Sequence, residues 1–195
     1  MIDKKVYKNV ADKYGHYASW AVWSPEGQKP KSNVGDLTIF DADLNSTVLE
    51  KLNPDKVMVG LNISRPIEYT FGNFHDSRPQ SQDYKIRFAF KDTDFYGAYM
   101  TDIIKDFQNV VSGDVMAFLK QNQDFEKKNL EIFLEELNDI GSKNPLIIAF
   151  GNHAFNILDK KFRNHFKILK VPHYSIQISK EEYKSRITRL IVDPK

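Results

Sequence analysis

The sequence predicts an α/β fold built on a parallel sheet, and two observations carry that prediction. Four short apolar segments bounded by turn residues, Val57–Leu61, Ala98–Thr101, Leu146–Phe150 and Ile168–His173, have the length and unbroken hydrophobicity of strands buried on both faces. Helical patterns lie between them, and alternation of strand and helix is how a parallel sheet is written in a chain. Residues 125–140 (FEKKNLEIFLEELNDI) put Leu130, Phe133, Leu134, Leu137 and Ile140 on one helical face and stop at Gly141, a C-cap glycine. Asn152–Lys160 follows Gly151 as a second helix, with Phe155, Ile157 and Leu158 as its apolar members. Ser179-Lys180-Glu181-Glu182 has the capping-box order and Tyr183, Ile187, Leu190 and Ile191 follow at helical spacing, so a last helix starts near residue 180. The first 50 residues read as a helical and aromatic extension packed on a single domain spanning 1–195, with Trp20 and Trp23 as core anchors. Between the first two strands, residues 63–96 are rich in aromatic and turn residues, with helix only around Tyr84–Phe90. Loops of that length inside compact domains are commonly functional.

Composition narrows the class. At 195 residues, 41% hydrophobic and 28% charged, the chain fits one globular domain, and no apolar run approaches the roughly 18 residues of a membrane helix. The charged start, MIDKKVYKNVADKYGHY, lacks the apolar stretch of a secretory signal, which places the chain in the cytoplasm, and the absence of cysteine fits that compartment. It also excludes disulfides, cysteine nucleophiles and iron–sulfur clusters. The net charge of +2 is unevenly spread: residues 160–195 hold ten Lys/Arg against three Asp/Glu, an asymmetry of the kind that marks a surface facing a polyanion. There is no Walker loop, GxGxxG or G-x-S-x-G, which disfavours phosphate-loop, dinucleotide and nucleophile-elbow enzymes. No His/Asp/Glu spacing reads as a metal site, and His75-Asp76 reads as a loop hydrogen bond.

In a parallel sheet the residues that follow each strand collect along one carboxyl edge, where open α/β folds bind ligands. Here that edge gathers Asn62 and Ser64, Thr101 and Asp102, Gly151 and Asn152, and His173 with Ser175. An amide, a carboxylate and an imidazole facing one cleft can position a water, contact a planar heterocycle and stabilise a developing anion.

With GLNIS after the first strand, Thr101-Asp102 closing the second, PLIIAFG at the third and HYS at the fourth, the chain resembles the uracil-DNA glycosylase superfamily over roughly residues 55 to 192. The family's first motif reads GQDPY or Gly-apolar-Asn-Pro-small, and its last reads HPS or NPS. Motif one is closest to the mismatch-specific and single-strand-selective branches. The resemblance implies a three-layer α/β/α fold with a central four-stranded parallel sheet. It also implies a monofunctional DNA glycosylase that hydrolyses the N-glycosidic bond of a damaged or deaminated base, acts as a monomer on DNA and needs no metal or cofactor. Asn62 falls at the water-positioning site, and His173 at the imidazole beside the leaving base. For base binding it implies Asp102, Ser64 and an aromatic from the long loop, either Phe71 or Phe74, stacked on an extruded base. For DNA it implies Ser175, Ile176 and Gln177, with Lys160, Lys161, Arg163 and Lys170 gripping phosphate.

The chain departs from the family pattern in three places. Asp102 replaces an Asn; ionised, it only accepts hydrogen bonds and suits the exocyclic amine of cytosine or adenine, whereas uracil requires it to be protonated by burial. Tyr174 replaces a proline, and Gln177 stands where a Leu or Arg wedges into the duplex, with Ile176 the nearest apolar substitute. Ile63 follows Asn62 in place of the usual proline or small residue. These departures keep two alternatives open: a DNA- or nucleobase-binding protein that has lost the chemistry, and an enzyme of free nucleosides or nucleotides using the same edge.

Overall fold

The computed structural model describes residues 2–45 and 47–192. The sheet has five strands in the order β1-β3-β2-β4-β5: β1 (Ser19–Trp20), β2 (Asn53–Asn62), β3 (Ala98–Ile104), β4 (Leu146–Phe150) and β5 (Lys167–Val171). β2 to β5 run parallel, as expected, but β1 adds to the outer edge of β3 antiparallel, so the sheet is mixed and not the four-stranded parallel sheet the resemblance implies. The reason β1 escapes a reading of the sequence is its size. Two residues, paired as Ser19 with Met100 and Trp20 with Tyr99, are too few to display any periodicity. At the other edge β5 stops at Val171, because the next residue is Pro172 and has no N–H to extend a ladder.

Alternate residues along the strands feed two hydrophobic clusters, one on each face. Val57, Val59 and Leu61 pack with α1 (Lys4–Tyr14), α4 (Ser112–Gln121), α5 (Gln123–Asp139) and α6 (Gly151–Phe162), while Met58, Met100, Ile148 and Phe150 pack with α3 (Tyr84–Phe90) and α7 (Lys180–Val192). Burial of both faces explains the unbroken apolar runs in β2 and β4. A single turn, α2 (Val48–Lys51), leads into β2.

The helices start and stop for local reasons. Asp3 caps α1 by accepting from the N–H groups of Lys5 and Val6, and Tyr7, Val10 and Tyr14 form its buried stripe. Gly141 ends α5 with φ +76°, and Ser142 N–H returns to the Leu137 carbonyl at 2.9 Å, closing the helix as a glycine C-cap does. At α7 half of the capping box forms: Ser179 Oγ accepts from Glu182 N–H at 3.0 Å, but the Glu182 carboxylate turns forward to Arg186. Among the described residues no helix is long and apolar enough to cross a membrane.

Behind the carboxyl edge, between the sheet and α5, lies a buried ion pair. Lys105 Nζ meets Glu136 Oε1 at 2.6 Å, Tyr99 donates to Glu136 Oε2 at 3.0 Å, and Lys105 Nζ also donates to the Asp102 carbonyl at 2.6 Å. These bonds tie the end of β3 to the helix layer.

Candidate functional site

A cleft of about 540 Å³ opens at the carboxyl ends of β2 to β5, and Asn62, Asp102 and His173 all line it. Its volume falls within the roughly 300–1,000 Å³ of small-molecule sites. Three chain segments far apart in the sequence therefore meet in one hollow, as the strand order requires. A smaller hollow of about 300 Å³ lies beside it and shares Asn73, Asp83 and Tyr174.

Asn62 ends β2 with its side chain fixed by carbonyls. Nδ2 donates to the backbone oxygens of Ile63 (3.0 Å), Phe107 (3.2 Å) and Asn109 (2.8 Å). Three acceptors around one atom assign it as the nitrogen, which leaves Oδ1 without a hydrogen bond from any described residue. An acceptor so placed orients a water by one of its O–H bonds.

His173 follows β5. The backbone N–H of Ser175 donates to its Nδ1 at 3.2 Å, and Ser175 Oγ lies 2.8 Å from the same nitrogen. Nδ1 is therefore an acceptor and the neutral ring carries its proton on Nε2. Burial pushes the imidazole pKa down from 6.5 to about 4, so the ring is uncharged at neutral pH and Nε2–H is a donor. The ring stacks on Tyr174 with centroids 4.3 Å apart and lies over Gly151, where a Cβ would come within 3.4 Å of His173 Cβ. Gly151 has φ +82°, a conformation that favours glycine, at the turn from β4 into α6.

Asp102 is 4% exposed. Its Oδ2 accepts from Asn73 Nδ2 at 2.8 Å, and Oδ1 occupies the space above Gly60, where a Cβ would come within 2.2 Å. That glycine, one residue before Leu61-Asn62, is what lets the carboxyl lie flat on β2. Burial, with Glu136 and Asp83 adding to it against Asn73 and Lys105, pushes its pKa up from 3.8 to about 7. Asp83, at the start of α3 and also in the cleft, is pushed up to about 6 by burial while accepting from Asp76 N–H at 2.8 Å. Both acids thus hold a proton well above the usual carboxylate range.

The remaining expected residues separate into two groups. Ser64 and Ser175 line the cleft, and its aromatic wall is Phe150 with Tyr174, ring centroids 5.4 Å apart. Phe74 reaches only the neighbouring hollow, 6.3 Å from both of those rings. Phe71 does not reach either; its ring packs between Tyr7 and Phe40 in the core. Ile176 is half-buried against the α3/α7 cluster, and the exposed Gln177 folds back to the Ser175 carbonyl. Lys160 and Lys161 sit in the last turn of α6, whose first turn lines the cleft, so about 10–15 Å of helix separates them from it. Arg163 just beyond pairs with Asp159, and Lys170 lies over Phe155. None of these four cations lines the cleft.

Among the cleft residues that the sequence does not single out, Asn73 and Asp83 bear most directly on its chemistry. The backbone explains the first, since Phe71 and Phe74 on either side of Asn73 have φ of 61° and 63°. Left-handed backbone at bulky residues costs on the order of 1–3 kcal/mol each and persists where the surroundings over-determine it. Here Phe71 N–H is held by the Gly15 carbonyl at 2.7 Å and Ser19 Oγ donates to the Phe71 carbonyl at 2.8 Å, turning Asn73 inward. Among the described residues no cluster of three His, Asp or Glu can hold a metal ion. No family model, characterised protein or solved structure matches the chain.

Proposed function

We propose that the cleft binds a nucleobase and that the chain is a monofunctional DNA glycosylase, hydrolysing the bond between a deaminated or damaged base and its deoxyribose. The observation that supports this is the convergence of Asn62, Asp102 and His173 on one cleft with an aromatic wall. In this reading Asn62 Oδ1 accepts a hydrogen bond from the attacking water and aims its oxygen at the sugar carbon. An amide cannot take the proton, so the step relies on departure of the base ahead of attack, through an oxocarbenium-like sugar. The C–N bonding pair leaves with the base, and His173 Nε2–H donates to the base oxygen on which the negative charge develops. The water's proton passes to solvent or to the released base. Asp102, protonated, donates to a base carbonyl, as an amide would, and Phe150 and Tyr174 bound the plane of the ring.

The test is a panel of single- and double-stranded oligonucleotides carrying uracil, hypoxanthine, xanthine or oxidised bases, incubated with the protein and then cleaved with alkali. Strand scission is expected for at least one base, reduced 100-fold or more in Asn62→Ala, the scale on which positioning and acid–base groups contribute. An inert wild-type protein across the panel overturns the hydrolytic assignment. A second reading, a binding protein without chemistry, is favoured by the exposed, polar Gln177 at the place of an apolar wedge. It predicts salt-sensitive oligonucleotide binding with no scission.

A further inference from the structure

Asn73 is held from every side. Its Nδ2 donates to the Tyr17 carbonyl and to Asp102 Oδ2, each at 2.8 Å, and its Oδ1 accepts from Phe74 N–H at 3.1 Å. Its backbone carbonyl faces His75 Nδ1 at 2.9 Å, and the two left-handed phenylalanines fix the turn around it. Both amide hydrogens and the amide oxygen are therefore engaged, so Asn73 is a fixed donor to Asp102 and cannot rotate to become an acceptor. Asp102 Oδ2 consequently stays an acceptor in either protonation state. Oδ1, over Gly60, receives no hydrogen bond from any described residue, and the carboxyl's variable proton belongs there.

We propose that Asn73 is a positioning residue that assigns the Asp102 proton to Oδ1. The cleft then reads a ligand carbonyl when Asp102 is protonated and a ligand amino group when it is ionised. This rests on the nucleobase reading of the cleft and adds to it a switch in which class of base is held. The groups facing Asp102 are Asp83 at the N-cap of α3, Lys105 just past the end of its own strand, Glu136 from α5, and Tyr174 and His173 from the segment after β5. Asp76 and Arg65 lie in the loop that closes the cleft. Of these, Glu136 is neutralised by Lys105 and His173 is uncharged above about pH 5, which leaves Asp83 and Asp102 as the pair that titrates near neutrality.

Free uracil and free cytosine are the probes, with the Asp102 carboxyl followed by its ¹³C resonance from pH 5 to 9. Uracil affinity is expected to weaken about tenfold one pH unit above the Asp102 midpoint, where about a tenth of the protein is still protonated. Cytosine affinity is expected to change in the opposite direction. Asp102→Asn, whose amide must turn its oxygen to Asn73 and its N–H to the ligand, is expected to bind uracil independently of pH above about pH 7, where Asp83 is already ionised. Asn73→Ala is expected to raise the Asp102 midpoint, because a hydrogen bond to the ionised form is lost. A purely structural Asn73 lowers the melting temperature without moving that midpoint, and this result overturns the proposal. If Asn73→Ala does not fold, the Asp102→Asn profile decides, and a uracil affinity that still falls with pH above about pH 7 in that variant overturns the proposal. Uracil binding with the expected pH dependence but no base release supports the proposal and removes hydrolysis alone. Base release with a pH-independent uracil affinity overturns the proposal and leaves hydrolysis standing. Binding of neither base overturns both.

Discussion

Asp102 and His173 make the protein's stability depend on pH in opposite senses. The Asp102 pKa rises on folding from 3.8 to about 7, so its favourable contribution is complete below about pH 4 and is lost as pH rises through 7. The His173 pKa falls from 6.5 to about 4, so its contribution is complete above about pH 6.5 and is lost as pH falls through 4. Replacing Asp102 by Asn removes the first dependence while keeping the bond to Asn73. The Asp102→Asn protein is expected to exceed the wild type by roughly 1–3 kcal/mol at pH 8, with a smaller difference at pH 5, in urea titrations at the two pH values. A gain independent of pH would show that the carboxyl is not the group being discharged. Asn62 behaves otherwise: its two amide hydrogens are shared among three carbonyls, so the Asn62→Ala used to test hydrolysis also costs stability, about 1–2 kcal/mol. Activity is therefore compared at a temperature where both proteins are folded.

At the scale of elements, β2 carries the site through two adjacent features: a glycine that admits the neighbouring strand's carboxyl and an asparagine that ends the ladder. Gly60→Ala places a Cβ within 2.2 Å of Asp102 Oδ1, with Phe74 only 3.4 Å away on the same side. The carboxyl must move, and a loss of about 1–3 kcal/mol is expected with disruption of the Asn73 bond, visible as a shifted Asp102 ¹³C titration. Ser179→Ala, remote from the cleft, is expected to cost about 1 kcal/mol at the start of α7 and leave that titration unchanged. Which elements were legible follows from what stabilises them. β4 was read to the residue, and α5 to within two, because each has a continuous apolar signal and clear ends. α1 was hidden by its charge, since only Tyr7, Val10 and Tyr14 mark its buried face, and α4 begins at Ser112 after Val111, which supplies no side-chain cap. In the cleft, Asn62 and His173 were legible because strand ends converge whatever the loops do, and Asp102 because it lies near the end of β3, which runs on to Ile104 and not only to Thr101. Asn73 was not, because its direction depends on two left-handed phenylalanines that no local propensity favours. Phe71 and Phe74 look alike in the sequence, yet opposite sides of the same turn send one into the cluster on one face of the sheet and the other into the cluster on the opposite face.

For the whole molecule, the Lys105–Glu136 pair links the end of β3 to α5 with side chains 1% and 0% exposed. Glu136→Gln leaves Lys105 charged and without its counter-ion in the interior. A loss of about 3–5 kcal/mol is expected, measured as a lower urea midpoint with an unchanged slope. The basic bias of the last 36 residues takes on a different meaning once folded. Arg163, Lys180, Lys184 and Arg186 are each matched to an acid, so part of the excess is neutralised locally. Lys167 and Lys170 remain exposed, and both stand on β5, the outermost strand at its end of the sheet. An outer strand offers unused backbone donors and acceptors to any other chain, and lysines along it, followed here by Pro172, discourage that addition. Two of the charges that suggested an attraction to polyanions thus serve equally to keep one copy of the protein from knitting onto the next.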